Sequence, residues 1–127
     1  MSGPRFAEQV PRPALGAGAP VVEEAAVGQV RYVGVADWWG RHVWIEHRDV
    51  RSVLQYSPGA TIGFAWGRAG LGARELARSI LRDAAGDQQL AESRHVAYVH
   101  DVIAALPDAG FELDRADVLA WLAAQSG

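Results

Sequence analysis

The hydrophobic period of this 127-residue chain changes at Gly72, and that change sets the order of its architecture. Upstream, Val30, Tyr32 and Gly34 alternate with Arg31, Val33 and Val35, the two-residue repeat of a strand rich in branched and aromatic side chains. Downstream, Leu76, Ala77, Ile80, Leu81 and Ala84 recur with the 3.6-residue period of an amphipathic helix. Strands first and helices afterwards imply an α+β fold. We expect a small antiparallel sheet of about three to four strands followed by three packed helices.

The strand half is divided by turn residues. His42–His47 resumes strand character after Ala36–Arg41, so an antiparallel hairpin is the simple connection. Asp49–Tyr56 reads as a further strand or a helical turn. Ser57-Pro58-Gly59 breaks it, and Ile62–Trp66 reads as a brief strand between Gly63 and Gly67. In the helical half, Gly86 suits a helix C-terminus. A second helix fits Gln88–Leu106, with Leu90, Val96, Val99, Val102, Ile103 and Leu106 facing inward and Pro107 ending it. Phe111–Leu113 reads as an extended linker. Asp114 is the expected cap of a last helix, with Val118, Trp121 and Leu122 turned to the core.

Residues 1–27 differ from the rest. They hold four of the six prolines (Pro4, Pro11, Pro13 and Pro20) and many glycines and alanines, so we expect a flexible tail ahead of a domain over residues 28–127. Phe6 and Val10 are its obvious anchors for a partner. The chain has no cysteine, which excludes disulfides and thiolate metal sites. No apolar run approaches the roughly 18–20 residues of a bilayer span, and no secretory signal opens the sequence. We therefore expect no membrane association and a cytoplasmic bacterial protein.

Net charge is −3, too mild for a whole-domain basic field. All twelve basic residues are arginine, as a high-GC genome would give. Four of them, with one glutamate, fall between Arg68 and Arg82, overlapping the end of a run of five glycines between Gly59 and Gly72. Gly67-Arg68-Ala69-Gly70-Leu71-Gly72 sits between a strand reading and a helix reading, where free N–H groups and the helix dipole attract anions. It is neither a Walker loop, lacking Gly-Lys-Ser/Thr, nor a Rossmann fingerprint, since Glu75 takes the third glycine's place. The two readings are a structural turn and a ligand contact.

As a ligand site, Gly70 and Gly72 would expose N–H groups while Arg68, Arg74 and Arg78 supply charge. Trp66 would wall the site, and Tyr56 and Ser57 would contribute from the Ser-Pro turn. The expected ligand is a nucleotide or a nucleic-acid phosphate. On the bland reading, Arg74, Arg78 and Arg82 form a solvated helix face, with Glu75 and Arg78 a local pair.

Other chemistry is poorly supported. His95 and His100, five apart on a helix, lie about 140° around it and cannot chelate together. His42 and His47 point to opposite faces of a strand, and Ser57 has no nucleophile elbow around it. We expect no catalytic residues, no metal and no cofactor. Trp38-Trp39 in a hairpin turn is unusual. We expect at least one ring to pack under the sheet beside Trp44, while an exposed ring would mark a protein interface or a base-stacking platform.

Tyr32-x-Gly34, Ser57-Pro58, Gly63-Phe64-x-Trp66-Gly67, Gly70-x-Gly72 and the Leu76-Ala77…Ile80-Leu81 helix together resemble a family of small uncharacterised bacterial and phage domains. That family's hallmark is Ser-Pro…Gly-Phe-x-Trp-Gly…Gly-Ser-Gly-Pro before an alanine- and leucine-rich helix. Val102–Pro107 and Trp121-Leu122 fit it as well, so the likeness spans roughly residues 30–123. Tyr56 stands where the family has His, Gly59–Ile62 lengthens the loop, and Leu71 and Ala73 replace Ser and Pro. The resemblance implies no assigned activity. It implies accessory genes of phages and mobile elements, hence host-defence or counter-defence roles, with a protein-interaction or inhibitor module as the alternative function.

Overall fold

A computed structural model describes residues 29–57, 59–60 and 62–126. The proline-rich segment, residues 1–27, lies outside the described residues.

Three strands form a meander: β1 (Arg31–Asp37), β2 (Gly40–His47) and β3 (Val50–Val53). Helix α1 (Leu71–Ala85) and helix α2 (Gln88–Asp101) follow, then a short 3-10 turn at Ile103–Ala105, strand β4 (Gly110–Asp114) and helix α3 (Arg115–Ser126). The sheet is antiparallel, in the order β3-β2-β1-β4. The fold is therefore α+β with a four-stranded antiparallel sheet and three helices, as the change of period implies.

Two strand assignments move. Ile62–Trp66 pairs with no strand; Ala65 N–H instead donates to the Gly72 carbonyl at 3.2 Å. The fourth strand is Phe111–Leu113 with its flanks, which sequence suggested as a linker. It takes the free edge of β1, with Gly34 opposite Phe111 and Tyr32 opposite Leu113. Asp114 thus closes a strand, and α3 begins at Arg115. The ambiguous Asp49–Tyr56 segment is strand over Val50–Val53.

The core lies between the helices and the sheet face that carries Tyr32, Val43 and Phe111. From α1 it receives Leu76, Ala77, Ile80 and Leu81 of the predicted stripe, together with Ala73, all at 1% exposure or less, while Ala84 of that stripe is only partly buried against it. Gly86, in the left-handed conformation, donates its N–H to the Arg82 carbonyl and ends the helix. The side chain of Asp87 then accepts from Leu90 N–H and caps α2. The inward stripe of α2 is Ala91, His95, Tyr98 and Val99. Val96 is 41% exposed, contrary to the sequence reading, because the helix presents His95 and Tyr98 to α1 and α3 instead. The helix also stops five residues short of Leu106, giving way to the 3-10 turn. Val118 and Leu122 are buried as expected.

Two polar contacts fix the direction of α1 against β1. Near the end of α1, Asp83 accepts from the Tyr32 hydroxyl at 2.7 Å and from Arg115 at 2.7 Å, which ties it to the start of β1 and of α3. Just ahead of α1, the Trp66 carbonyl accepts from Arg41 at 3.4 Å, and Arg41 pairs with Ala36 at the far end of β1. Helix and strand therefore run in opposite directions. The thirteen residue steps from Gly70 to Asp83 rise about 20 Å, close to the roughly 17 Å that β1 covers from Tyr32 to Asp37. The start of α1 and the β1–β2 hairpin tip consequently share one end of the molecule.

Candidate functional site

That shared end is where most of the sequence-predicted residues gather. Gly70 is the N-cap of α1, at φ 157° and ψ −175°, a region that is essentially reserved for glycine. A Cβ at Gly70 would meet nothing within 4 Å, so the space above the backbone is open. The first intrahelical bond runs from Arg74 N–H to the Gly70 carbonyl, which leaves the N–H groups of Leu71, Gly72 and Ala73 without a helical acceptor. No side chain caps the helix, and its first turn has no acidic residue.

Charge at this end is unusual. Arg68 and Arg74 are exposed, and neither forms an ion pair among the described residues. Cations are disfavoured at the positive end of a helix dipole, by about 0.3–1 kcal/mol each. Helix α1 thus places two unpaired arginines beside its own positive pole, with nothing acidic in the first turn to offset them.

The glycine at position 72 has a different cause. Its Cβ would lie 2.7 Å from the Ala65 Cβ and 2.9 Å from the Gly63 carbonyl oxygen. Gly72 is there because the 63–65 segment crosses the helix at contact distance. The Tyr56 ring, 48% exposed, stacks on Phe64 with centroids 4.2 Å apart, and its hydroxyl lies beside Gly63. Tyr56 therefore borders this end through its hydroxyl, although its own carbonyl accepts from Arg82 far along the helix.

Three predicted residues are absorbed by the architecture. Ser57 is buried, and its N–H donates to Ser79 Oγ at 3.2 Å, well along α1. Trp66 is fully buried, edge-on to Phe111 at 5.0 Å, with the Arg41 guanidinium 4.6 Å from its ring centroid. It is a floor beneath the loop rather than an exposed wall. Burying roughly 200 Å² of such a side chain contributes about 5 kcal/mol.

Arg78 is held at three points. It donates to Glu75 Oε1 at 2.7 Å and to His95 Nε2 at 3.0 Å, and its Nε lies 3.6 Å from Glu92. Since a guanidinium only donates, His95 Nε2 must accept, and Nδ1–H donates to the Glu92 carbonyl at 2.7 Å. His95 is thereby a neutral imidazole locking α1 to α2. Arg78 belongs to that lock, so the arginines from Arg68 to Arg82 divide into two unpaired members, Arg68 and Arg74, and two structural ones, Arg78 and Arg82.

The hairpin tip contradicts the expectation of a buried tryptophan. Trp38 is 83% exposed and Trp39 73%, and the two rings pack on each other, 4.0 Å between centroids and 33° between planes. The physical reason is register. Asp37 pairs with Gly40, so both tryptophans occupy the two-residue turn, beyond the reach of the core. Asp37 organises that turn, accepting from Trp39 N–H at 2.9 Å and lying 3.3 Å from His42 Nε2.

Sequence reasoning overlooked Arg41 and Asp108. Arg41 joins the tip to the glycine loop through Trp66 and comes within 3.9 Å of Asp108. Neither position carries a pattern that would have singled it out. No group of three or more His, Cys, Asp or Glu that could hold a metal ion occurs among the described residues. Nor does any described helix have the length and apolarity to cross a membrane.

A family model described as a family of unknown function, DUF6166, matches residues 32–124. The chain belongs to this family. The DUF6166 match takes in the whole of α1 and α2, most of the sheet, the hairpin tip and the glycine loop, so the shared end lies within the family's own span. No curated protein and no solved structure matches the chain.

Proposed function

We propose that this DUF6166 chain is a non-enzymatic binding module for an anionic ligand, the phosphate of a nucleotide or nucleic acid. The site is the Gly67–Gly70 loop with the first turn of α1, where Arg68 and Arg74 give charge and Leu71, Gly72 and Ala73 give N–H donors. One observation carries this reading: an uncapped helix start, open above Gly70, holds two unpaired arginines against its own dipole and has no acid in its first turn. A bound phosphate relieves that repulsion and satisfies the donors together. An origin in a phage or mobile element, and a cytoplasmic location, belong to the same proposal.

A thermal-shift series with a nucleotide panel tests it. A ligand at about 100 times its Kd adds about 2.7 kcal/mol, on the order of 10 °C for a domain of this size. The Arg68→Glu/Arg74→Glu variant loses that shift. An equal shift in the variant, or none with the native chain, removes the reading.

A second reading, a protein-interaction or inhibitor module, draws on the 83% and 73% exposure of Trp38 and Trp39. Aromatic residues of this kind anchor interfaces. Residues 1–27, its other candidate element, lie outside the described residues.

A further inference from the structure

We propose that the Trp38–Trp39 tip is a base-stacking platform for a single-stranded oligonucleotide. The phosphate half of this inference rests on the reading above; the tip is its independent half.

The tip is built to hold two rings in water. Asp37 fixes the turn through Trp39 N–H and His42, and the rings cover one face of each other. Their outer faces are free, as the exposures show. Neither ring belongs to the core, which is built from the helices, from the sheet residues Tyr32, Val43 and Phe111, and from Leu54, Phe64 and Trp66.

The occupant follows from area and charge. Two tips stacked together from separate copies would bury less than about 800 Å², short of the roughly 1,200–2,000 Å² of a stable protein interface. A second copy is therefore a poor fit. Near the tip, Asp37 is hydrogen-bonded within the turn but keeps its negative charge, and Asp108 faces Arg41 at 3.9 Å. Arg41 offsets Asp108, and Arg68 and Arg74 together outweigh Asp37, so the balance of these charges is positive. Aromatic faces at the same end as free guanidinium groups suit a single strand, whose bases are unstacked and whose phosphates follow along the chain. A duplex offers no free base face to the tip. With only two unpaired arginines, binding should depend weakly on salt, with a log–log slope of about −1.4.

The test uses the full chain, an oligothymidylate of about ten nucleotides followed by fluorescence anisotropy, and inorganic phosphate followed by thermal shift. Trp38→Ala/Trp39→Ala should weaken the oligonucleotide by about tenfold or more while leaving the phosphate shift intact. Trp38→Phe/Trp39→Phe keeps a stacking face and should retain most of the affinity, which separates stacking from damage to the turn. If the alanine pair binds the oligonucleotide as the native chain does, while Arg68→Glu/Arg74→Glu abolishes binding, the inference falls and the phosphate reading stands. If neither change matters, both fall. Loss of a self-associated species in the alanine variant, without any oligonucleotide binding, would assign the tip to a second copy. Capture of a protein ligand by the native tip, again without oligonucleotide binding, overturns the inference equally.

Discussion

Replacing Gly72 with alanine separates an architectural glycine from a ligand-contact glycine by the sign of the stability change. Alanine is preferred over glycine inside a helix by about 1 kcal/mol, so an unobstructed position would gain stability. At Gly72 the new methyl would sit 2.7 Å from the Ala65 Cβ and 2.9 Å from the Gly63 carbonyl oxygen. Neither is the end of a flexible side chain, and the Ala65 N–H bond to the Gly72 carbonyl keeps the two segments together. Overpacking of this kind costs about 1–3 kcal/mol. Set against the propensity gain, a net loss of about 1 kcal/mol, and at most about 2 kcal/mol, is expected. Urea denaturation at an unchanged m value should show a midpoint lower by about 0.5–1 M. A midpoint equal to or above that of the native chain would refute the close crossing of α1 by residues 63–65.

Two further outcomes follow. Arg78→Met leaves the Glu75 carboxylate, 8% exposed, without its partner, and should cost about 3 kcal/mol; adding Glu75→Gln should restore most of it, as denaturation midpoints will show. Burial, and next the hydrogen bond to Asp83, push the Tyr32 hydroxyl well above its ordinary value of 10.0. Because the folded value is the higher one, this contribution is complete below about pH 10 and is lost as pH rises above it, by about 1.4 kcal/mol per pH unit. Burial pushes Tyr98 the same way. Tyr32→Phe should make the alkaline decline of stability shallower, and an unchanged slope between native and variant would contradict the Asp83–Tyr32 tie.

Much of this fold is local enough to be legible. The α1 stripe and Gly86 follow from a 3.6-residue period and from a residue that tolerates the left-handed conformation. Strand β4 was not legible, because Phe111–Leu113 is short and its partner β1 lies some eighty residues away. A three-residue alternation looks alike in a linker and in an edge strand. The hairpin follows from two strand patterns around turn residues, but the exposure of Trp38 and Trp39 depends on the pairing of Asp37 with Gly40, one register step that composition does not reveal. For the site, the glycine loop and its excess of arginine were visible. Which arginines are free was not, since Arg78 is claimed by His95 and Glu92 from the next helix. That the tip and the loop share one end depends on Arg41 and Asp83, contacts between segments far apart in the chain.

The most direct test of the phosphate site is a nuclear magnetic resonance titration of the native chain with a nucleotide. We predict that the backbone amides of Leu71, Gly72 and Ala73 shift first and furthest, with those of Arg68 and Gly70 beside them. Saturable shifts centred on any other surface, with these amides unmoved, would contradict the site.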